Sequence, residues 1–220
     1  NRCFATLTNC PISGNNAAGQ DRDGGAIYSS GTNINLTLTN CTVSGNDASR
    51  AAGGIYTYND NSVQSVLTNT IIANNTAASA PDCSGTLRSH GYNLVEDTSD
   101  CTITEAANPG TDITGVDPKL GPLADNGGPT LTHALLAGSP AINAGDPAFT
   151  PPPDFDQRGP GFPRVINGRL DIGAYEAEPQ PVGGVTIPAH RVGVWIAAVA
   201  FVVLGTAAGT LMLRAHPRKP

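Results

Sequence analysis

The feature that most constrains this fold is a nine-residue motif that occurs three times, with copies about 30 residues apart. In each copy Leu comes first, Asn third, Ile or Val sixth and Asn ninth. Repeats of this period are typical of stacked architectures, because each unit buries its apolar face on its neighbours. The copies begin at Leu7, Leu38 and Leu67, and their third positions are Asn9, Asn40 and Asn69.

The residue types inside the repeat favour strands over helices. Thr, Asn, Ser and Gly are poor in helix interiors because their side chains compete for backbone hydrogen bonds. In residues 34–39, Ile and Leu alternate with Asn and Thr, which is the period of a strand with one buried face. The sequence therefore predicts an all-β chain, folded as a parallel β-helix (solenoid). An antiparallel sandwich with coincidental repeats is the alternative.

Equivalent residues of a β-helix lie above one another at about the 4.8 Å strand spacing. Leu7, Leu38 and Leu67 are then expected to form one interior column. Asn9, Asn40 and Asn69 are expected to form a ladder at a corner, where each side-chain amide hydrogen-bonds the next. A further column of small side chains is predicted from Cys10, Cys41 and Thr70.

The remaining cysteines indicate one disulfide. Cys83 and Cys101 flank a segment outside the repeat, and we expect them to be bonded because the chain has the features of an exported protein. Closing such a loop stabilises the fold by about 3 kcal/mol in the chain-entropy treatment. Cys3 has no predicted partner, and the repeat does not require oxidation of Cys10 or Cys41.

An uncharged apolar segment over residues 192–213 has the length of a membrane-spanning helix. Trp195 lies near its outer end, and Arg214, Arg218 and Lys219 follow it. The positive-inside rule therefore predicts a single-pass cell-membrane protein with its N-terminal part extracellular and its C-terminus cytoplasmic.

The chain divides by composition, and we interpret it as the C-terminal part of a longer protein. Gly- and Pro-rich motifs after the repeats predict short strands that close the open end of the stack, since a solenoid needs a polar cap. The predicted regions are the β-helix coils at 1–105, the cap at 106–177, a linker at 178–191, the transmembrane helix at 192–213 and a basic cytoplasmic tail at 214–220.

An ordered set of motifs across roughly residues 60–177 resembles the choice-of-anchor Q domain. The set comprises Leu-Thr-Asn-Thr-Ile-Ile at 67–72, Gly-Tyr-Asn-Leu at 91–94, Asp-Pro-Lys-Leu-Gly-Pro-Leu at 117–123, Asn-Gly-Gly-Pro-Thr at 126–130, Gly-Ser-Pro-Ala-Ile at 138–142 and Asp-Ile-Gly-Ala-Tyr-Glu at 171–176. The resemblance implies a bacterial surface protein with right-handed parallel β-helix repeats, and the right-hand preference of parallel crossovers agrees. Asn143 departs from the family, where Asp is commoner.

Candidate metal ligands are few. Asp21 and Asp23 occupy a loop between coils, where carboxylate oxygens suit a hard cation such as Ca²⁺, although a solvated loop is the commoner outcome. Near the cap, charged residues indicate either a Ca²⁺ or sugar site or, as we favour, ion pairs that face water. His90 and His133 lack a nucleophile and carboxylate at recognisable spacing. The cap residues are Asp154, Asp156, Asp171, Arg158, Arg164 and Arg169.

The sequence points to a non-catalytic cell-surface protein that serves as a stalk or as an adhesive, carbohydrate-binding ectodomain. No catalytic set is apparent, and Ca²⁺ is the one candidate cofactor. All 18 acidic residues lie at or before Glu178, which gives no support for nucleic-acid binding. The alternative is a polysaccharide lyase of the pectate-lyase type, or a glycoside hydrolase, with its active face in upstream coils.

Overall fold

The computed structural model describes residues 3–20, 22–31, 33–58, 63–105 and 107–178, and it is all-β in those ranges. Its strands are β1 (Cys3–Thr8), β2 (Pro11–Ile12), β3 (Asn16–Ala17), β4 (Ile27–Ser29), β5 (Ile34–Thr39), β6 (Thr42–Ser44), β7 (Asp47–Ala51), β8 (Ile55–Thr57), β9 (Val63–Thr68), β10 (Ile71–Ala73), β11 (Thr76–Ser79), β12 (Cys83–Ser89), β13 (Leu94–Val95), β14 (Asp100–Glu105), β15 (Ile113–Thr114), β16 (Leu120–Ala124) and β17 (Thr132–Leu135).

Strands β1–β15 form three parallel sheets, and we call this part of the chain the stack. The first sheet has the order β1-β5-β9-β12-β8-β4, with β14 also paired to β12. The second has the order β15-β13-β10-β6-β2, and the third β11-β7-β3. Within the second and third sheets, hydrogen-bonded neighbours come from successive turns of the chain, as do the pairs β1-β5 and β5-β9 of the first. The chain therefore curls repeatedly through three parallel sheets, an arrangement compatible with a β-helix.

The strand register aligns the repeat motif with itself. Leu7 lies opposite Leu38, and Leu38 lies opposite Leu67. Leu38 and Leu67 are fully buried, whereas Leu7, on the first strand of the sheet, is half-buried. The three leucines thus form one column that packs in the interior apolar cluster with Val43 and Ile72.

The later turns of the stack are shorter than the first ones, and they extend further than the sequence predicts. Strand β12 pairs with both β8 and β9, so one long strand continues two shorter strands of the preceding turn. The parallel pairing then continues to β15, beyond the predicted end of the coils at residue 105. Pairing in the third sheet joins only β3, β7 and β11 among the described residues, so the later turns have a smaller cross-section.

The second sheet is buried on both faces. Val43, Ile72 and Val95 point into the stack interior, and Ile71 and Leu94 belong to a separate apolar cluster on the opposite side. That outer cluster includes Leu135, Ala141 and Ile172, which come from residues 115–178. We call residues 115–178 the flank segment. Burial on two faces explains why these strands are short apolar runs with little alternation.

The flank segment lies along the side of the stack, whereas the sequence predicted a cap over its open end. The Nδ2 of Asn9, in the first turn, donates to the Phe155 carbonyl at 2.8 Å. In the second turn, Thr42 Oγ1 accepts from the Ala174 amide at 3.0 Å. The Gly173 amide donates at 2.9 Å to the carbonyl of Asn69, in the third turn. One segment therefore contacts successive turns.

Gly173 permits the closest of these approaches. A Cβ there would lie 2.8 Å from both Thr42 Oγ1 and Ile71 Cδ1, and its φ of 104° is one that residues with side chains rarely adopt. Most of the flank segment has no regular structure, apart from the antiparallel pair β16 and β17. Its fit to the stack therefore depends on particular side chains.

The predicted anchor region lies outside the residues that the structure describes. The linker after residue 178, the transmembrane segment at 192–213 and the basic tail at 214–220 all belong to this part. In the described part, no helix has the length and apolarity required to cross a bilayer. The anchor therefore stays a prediction from the sequence.

Candidate functional site

A column of tyrosines lies on the outer face of the first sheet. Ile27 and Ile55 pack toward the interior, so the alternation of a strand directs Tyr28 and Tyr56 outward. The register places the two tyrosines side by side, and their rings stack with centroids 5.1 Å apart and planes 10° apart. Tyr28 is 56% exposed, and Tyr58 is also exposed. We call Tyr28, Tyr56 and Tyr58 the tyrosine face.

A carboxylate and a guanidinium lie beside this face. Arg50 donates through Nε and Nη2 to both carboxylate oxygens of Asp23, a bidentate pair in which Asp23 is buried and Arg50 is 53% exposed. Hydrogen bonding by Arg50 lowers the pKa of Asp23 despite its burial. Burial, followed by the Asp23 charge, raises the pKa of the Tyr56 hydroxyl. Asp23 is thus committed to Arg50, and Asp21, its partner as a candidate Ca²⁺ ligand, lies outside the described residues.

An open depression of about 330 Å³ adjoins Arg50. It is lined by Gly19, Gln20, Ser49, Arg50 and Ala78. Two of these residues are joined by a hydrogen bond, which Ser49 Oγ donates to the Gly19 carbonyl at 2.5 Å. Tyr and Arg are enriched at recognition surfaces because they offer a large apolar area and polar ends together. Exposed aromatic faces beside a polar depression can bind a ligand that has both apolar and hydroxyl surfaces.

Four of the six charged cap residues are buried, namely Asp156, Arg158, Arg164 and Asp171, which corrects the expectation that they face water. Arg158 donates to Asp156 at 2.8 Å, with both side chains almost fully buried, and lies 3.9 Å from the ring centroids of Phe162 and Tyr175. Asp154 alone among the candidate metal ligands there is exposed. Ion pairing, which the sequence favoured, therefore holds the flank segment together from inside.

Arg164 is the largest of the fully buried side chains, and sequence reasoning missed its partner, Glu176. Arg164 Nε lies 3.4 Å from Glu176 Oε1, and its Nη2 donates to the carbonyls of Asp171 and Gly173. Arg169, which is half-buried, donates to the carbonyls of Ala144 and Gly145. Glu176, the last residue of the 171–176 motif, could have indicated this pairing from the sequence, because a buried acidic residue in a largely apolar run needs a partner.

Burial dominates the protonation of this cluster. It raises the pKa of Glu176 to about 9, although Arg164 opposes the shift, and it lowers the pKa of Arg164. Burial also raises the pKa of Asp171, whose oxygens accept the amides of Asn143 and Ala177 at 2.6 Å each. At neutral pH Glu176 is therefore mostly protonated, and the charges that face Arg164 are those of Asp156 and Asp171.

The predicted amide ladder is replaced by another. Asn9, Asn40 and Asn69 occupy equivalent corners with φ near 50°, as a tight corner requires. The side-chain amide of Asn40, however, is fully buried and has no hydrogen-bond partner, and Asn69 Oδ1 accepts from the backbone amide of Asp146 instead. The corner needs the conformation that Asn tolerates, and it does not use the side chain to connect the turns.

The connected amides belong to the last position of the repeat motif. Asn15 Nδ2 donates to Asn46 Oδ1, and Asn46 Nδ2 donates to Asn75 Oδ1, both at 2.9 Å. Asn75 Nδ2 donates in turn to Asp82 Oδ1 at 2.9 Å. Asp82 also accepts the Asp97 amide, and burial raises the pKa of Asp82 to about 6. The ladder is therefore a continuous polar chain that ends in a carboxyl group.

The cysteines fall into two groups. Cys83, on β12, forms a disulfide with Cys101, on the adjacent β14, with Cα atoms 5.5 Å apart. Cys10 and Cys41 are free and pack in the interior apolar cluster, and the Thr70 hydroxyl accepts the Cys41 amide at 3.4 Å. Burial raises the pKa of Cys41 to about 12. Cys3 is free and exposed.

The structure also joins two residues that sequence reasoning left apart. Ser13 Oγ lies 3.0 Å from His133 Nε2, although the two are far apart in the chain. His90, the other histidine considered, is exposed. In the described ranges, no group of three or more His, Cys, Asp or Glu side chains is placed to hold a metal ion, and Asp23 and Asp156 are bound to arginines.

Comparison with known proteins finds no family model, curated protein or solved structure that matches this chain.

Proposed function

We propose that this protein is a cell-surface, carbohydrate-binding β-helix that also serves as a stalk. The tyrosine face is the observation that carries the proposal. Tyr28 and Tyr56 stack on adjacent turns, and Arg50, whose charge acts on Tyr56, lines a polar depression. Sugar rings present apolar C–H surfaces and hydroxyl groups at once, and this chemistry suits aromatic side chains with neighbouring polar groups.

The finer architecture belongs to the same proposal. We take the parallel stack to be a right-handed β-helix, because parallel crossovers prefer that hand. The motifs that resemble the choice-of-anchor Q domain support surface attachment, as does the apolar segment at 192–213. The ectodomain would bind carbohydrate without cleaving its glycosidic bonds, since the described carboxylate of Asp23 is held by Arg50 and that of Asp47 accepts the Thr76 hydroxyl at 2.6 Å.

Glycan binding by the full-length chain in detergent micelles tests the proposal. We expect binding to a subset of arrayed polysaccharides, and Tyr56→Ala should weaken it about tenfold or more, since buried or stacked aromatic anchors dominate recognition. Phe4→Ala is the control because Phe4 is an aromatic residue of the same sheet, more exposed than Tyr56, and lies on β1 outside the tyrosine face. No binding, or equal losses in the two variants, would contradict the proposal.

Two further measurements test the predicted membrane anchor and the alternative function as a polysaccharide lyase. Alkaline extraction of membranes should leave the full-length chain in the pellet, whereas deletion of residues 192–213 should release it. Incubation with polygalacturonate and Ca²⁺ should produce no unsaturated product. Robust release of that product would favour a polysaccharide lyase instead.

A further inference from the structure

The pair Ser13 and His133 joins the stack to the flank segment. Ser13 follows β2 on the outward side of the second sheet, and His133 lies on β17. Ser13 Oγ and His133 Nε2 are 3.0 Å apart. This distance is within the range at which a histidine acts as general base toward a hydroxyl nucleophile.

The second ring nitrogen of His133 is also fixed. Its Nδ1 lies 2.8 Å from the carbonyl oxygen of Gly121, on the neighbouring strand β16. A carbonyl can only accept a hydrogen bond, so in the neutral imidazole Nδ1 carries the proton and Nε2 has the free lone pair. The hydroxyl of Ser13 must then donate to Nε2. The ring is largely buried, so this orientation is held.

An open cavity of about 270 Å³ lies at the serine. Ser13 lines it together with the apolar side chains of Pro11, Leu123 and Leu131. Gln157 lines it too, and its Nε2 donates one hydrogen to Thr130 Oγ1 at 2.9 Å, which leaves the second hydrogen of the amide for a ligand. A nucleophile, an oriented base, an apolar cavity and an amide donor thus come together.

We propose that Ser13 and His133 form a catalytic dyad that hydrolyses short-chain acyl esters. The cavity is small and lined by Leu and Pro, which suits an acetyl to butyryl group. The Gly121 carbonyl takes the orienting role that a carboxylate has in a Ser-His-Asp triad. This site is separate from the tyrosine face, and it acts on an ester bond rather than a glycosidic bond.

The reaction needs no reagent other than water. Ser13 Oγ forms a bond to the ester carbonyl carbon while its proton moves to His133 Nε2, and the Gln157 amide donates to the developing oxyanion. The bond from that carbon to the alkoxy oxygen then breaks, and the alcohol leaves with the proton from Nε2. Water then attacks the acyl carbon, the bond from that carbon to Ser13 Oγ breaks, and the proton from water passes through Nε2 to Ser13 Oγ. The products are an alcohol and a carboxylic acid.

Hydrolysis of p-nitrophenyl acetate and p-nitrophenyl butyrate by the full-length chain in detergent micelles tests the dyad. We expect Ser13→Ala and His133→Gln each to lower the rate about 100-fold or more, the range of a lost nucleophile or general base. Ser44→Ala is the matched control, because Ser44 occupies the equivalent position one turn further along and should keep the full rate. Equal rates in Ser13→Ala and the unmodified protein would overturn the proposal.

Covalent labelling separates a catalytic role from a purely structural one. A fluorophosphonate should attach to Ser13 in the folded protein and should fail to attach in His133→Gln, with the adduct located by mass spectrometry. Ser44→Ala, which changes a serine outside the cavity lining, should retain both hydrolysis and labelling. Absence of a Ser13 adduct from a protein that still shows native circular dichroism, or loss of activity in Ser44→Ala, would overturn the assignment.

Discussion

The stack and the flank segment bury different kinds of side chain in their interiors. In the stack, Leu7, Leu38 and Leu67 place identical apolar side chains above one another, so each turn repeats the contacts of the last. The flank segment buries charge instead, with Arg158 and Arg164 inside it. Repeated apolar contacts distribute the stability over many residues, whereas a buried charge makes the fold sensitive to the loss of one partner, which leaves the other charge uncompensated.

The largest effect is expected where the flank segment buries charge. Arg164→Ala should lower the free energy of unfolding by about 3–5 kcal/mol, because it removes the buried cation that faces Asp156 and Asp171 and leaves the carbonyls of Asp171 and Gly173 without their donor. Urea unfolding followed by circular dichroism measures the loss. Arg169→Ala, which removes a half-buried arginine, is the control and should cost less. Equal losses of stability in the two variants would show that the fully buried arginine is no more important than the half-buried one.

The corresponding change in the stack is Leu38→Ala, for which we expect a loss of about 3 kcal/mol. Leu38 is fully buried, and its truncation leaves a cavity between aligned leucines. Leu7→Ala deletes the same atoms from a half-buried position and should cost clearly less. The same urea titration measures both. If Leu7→Ala were as costly as Leu38→Ala, the degree of burial would not determine how much each leucine contributes to the free energy of unfolding.

The pH dependence of stability sharpens the comparison further, because a buried carboxyl lies in each region. The folded-state pKa of Asp82 is about 6, against an ordinary value of 3.8. A raised pKa stabilises the fold fully below pH 3.8, and this contribution is lost as pH rises through 6. We expect a loss of about 2–3 kcal/mol for Asp82 between pH 4 and pH 7.

Glu176 should extend the decline toward higher pH, since its pKa in the fold is about 9 and its ordinary value is 4.5. Thermal unfolding at a series of pH values from 4.5 to 9 measures both contributions. Asp82→Asn should reduce the slope below about pH 6, and Glu176→Gln should reduce it across the whole range up to about pH 9. A melting temperature that rises with pH across this range would contradict the assignment.

The smallest effect concerns the two asparagine positions of the repeat. Asn46→Ala should cost about 1–2 kcal/mol, because it breaks the bonds to Asn15 and Asn75 and leaves buried polar groups unpaired. Asn40→Gly should cost less than about 1 kcal/mol, since Gly adopts the corner conformation and the lost amide has no partner. Chemical denaturation ranks the two. If Asn40→Gly were the more costly change, the side chain of Asn40 would be connecting the turns, as the sequence predicted.

Much of the stack was predictable because its information is periodic. Alternation and the repeat of Leu, Asn and Cys together indicated parallel strands in turns, and the leucine column lies in the predicted register. The hydrogen bonds of the amides were less predictable. Asn9, Asn40 and Asn69 recur at the same interval as Asn15, Asn46 and Asn75, so the sequence does not distinguish the two sets. The backbone direction at each corner decides which set of side-chain amides hydrogen-bonds from turn to turn.

The candidate sites were less accessible to sequence reasoning. Tyr28 and Tyr56 follow the recurrent Gly-Gly pair, so their alignment was implicit in the repeat. The pairing of Ser13 with His133 was not, because it joins the first turn to a hairpin from the flank segment. The same is true of Arg164 with Glu176, whose burial depends on how the segment lies against the second sheet.

The sequence by itself determined the strand period, the length of the first turns and the residues that stack, because side chains that recur at a fixed interval can be satisfied locally by the next turn. Only the tertiary structure decided where the flank segment lies, which charges it buries and which hydroxyl meets His133. Those contacts occur once each, between residues distant in the chain, and no local pattern records the surface on which an irregular segment packs.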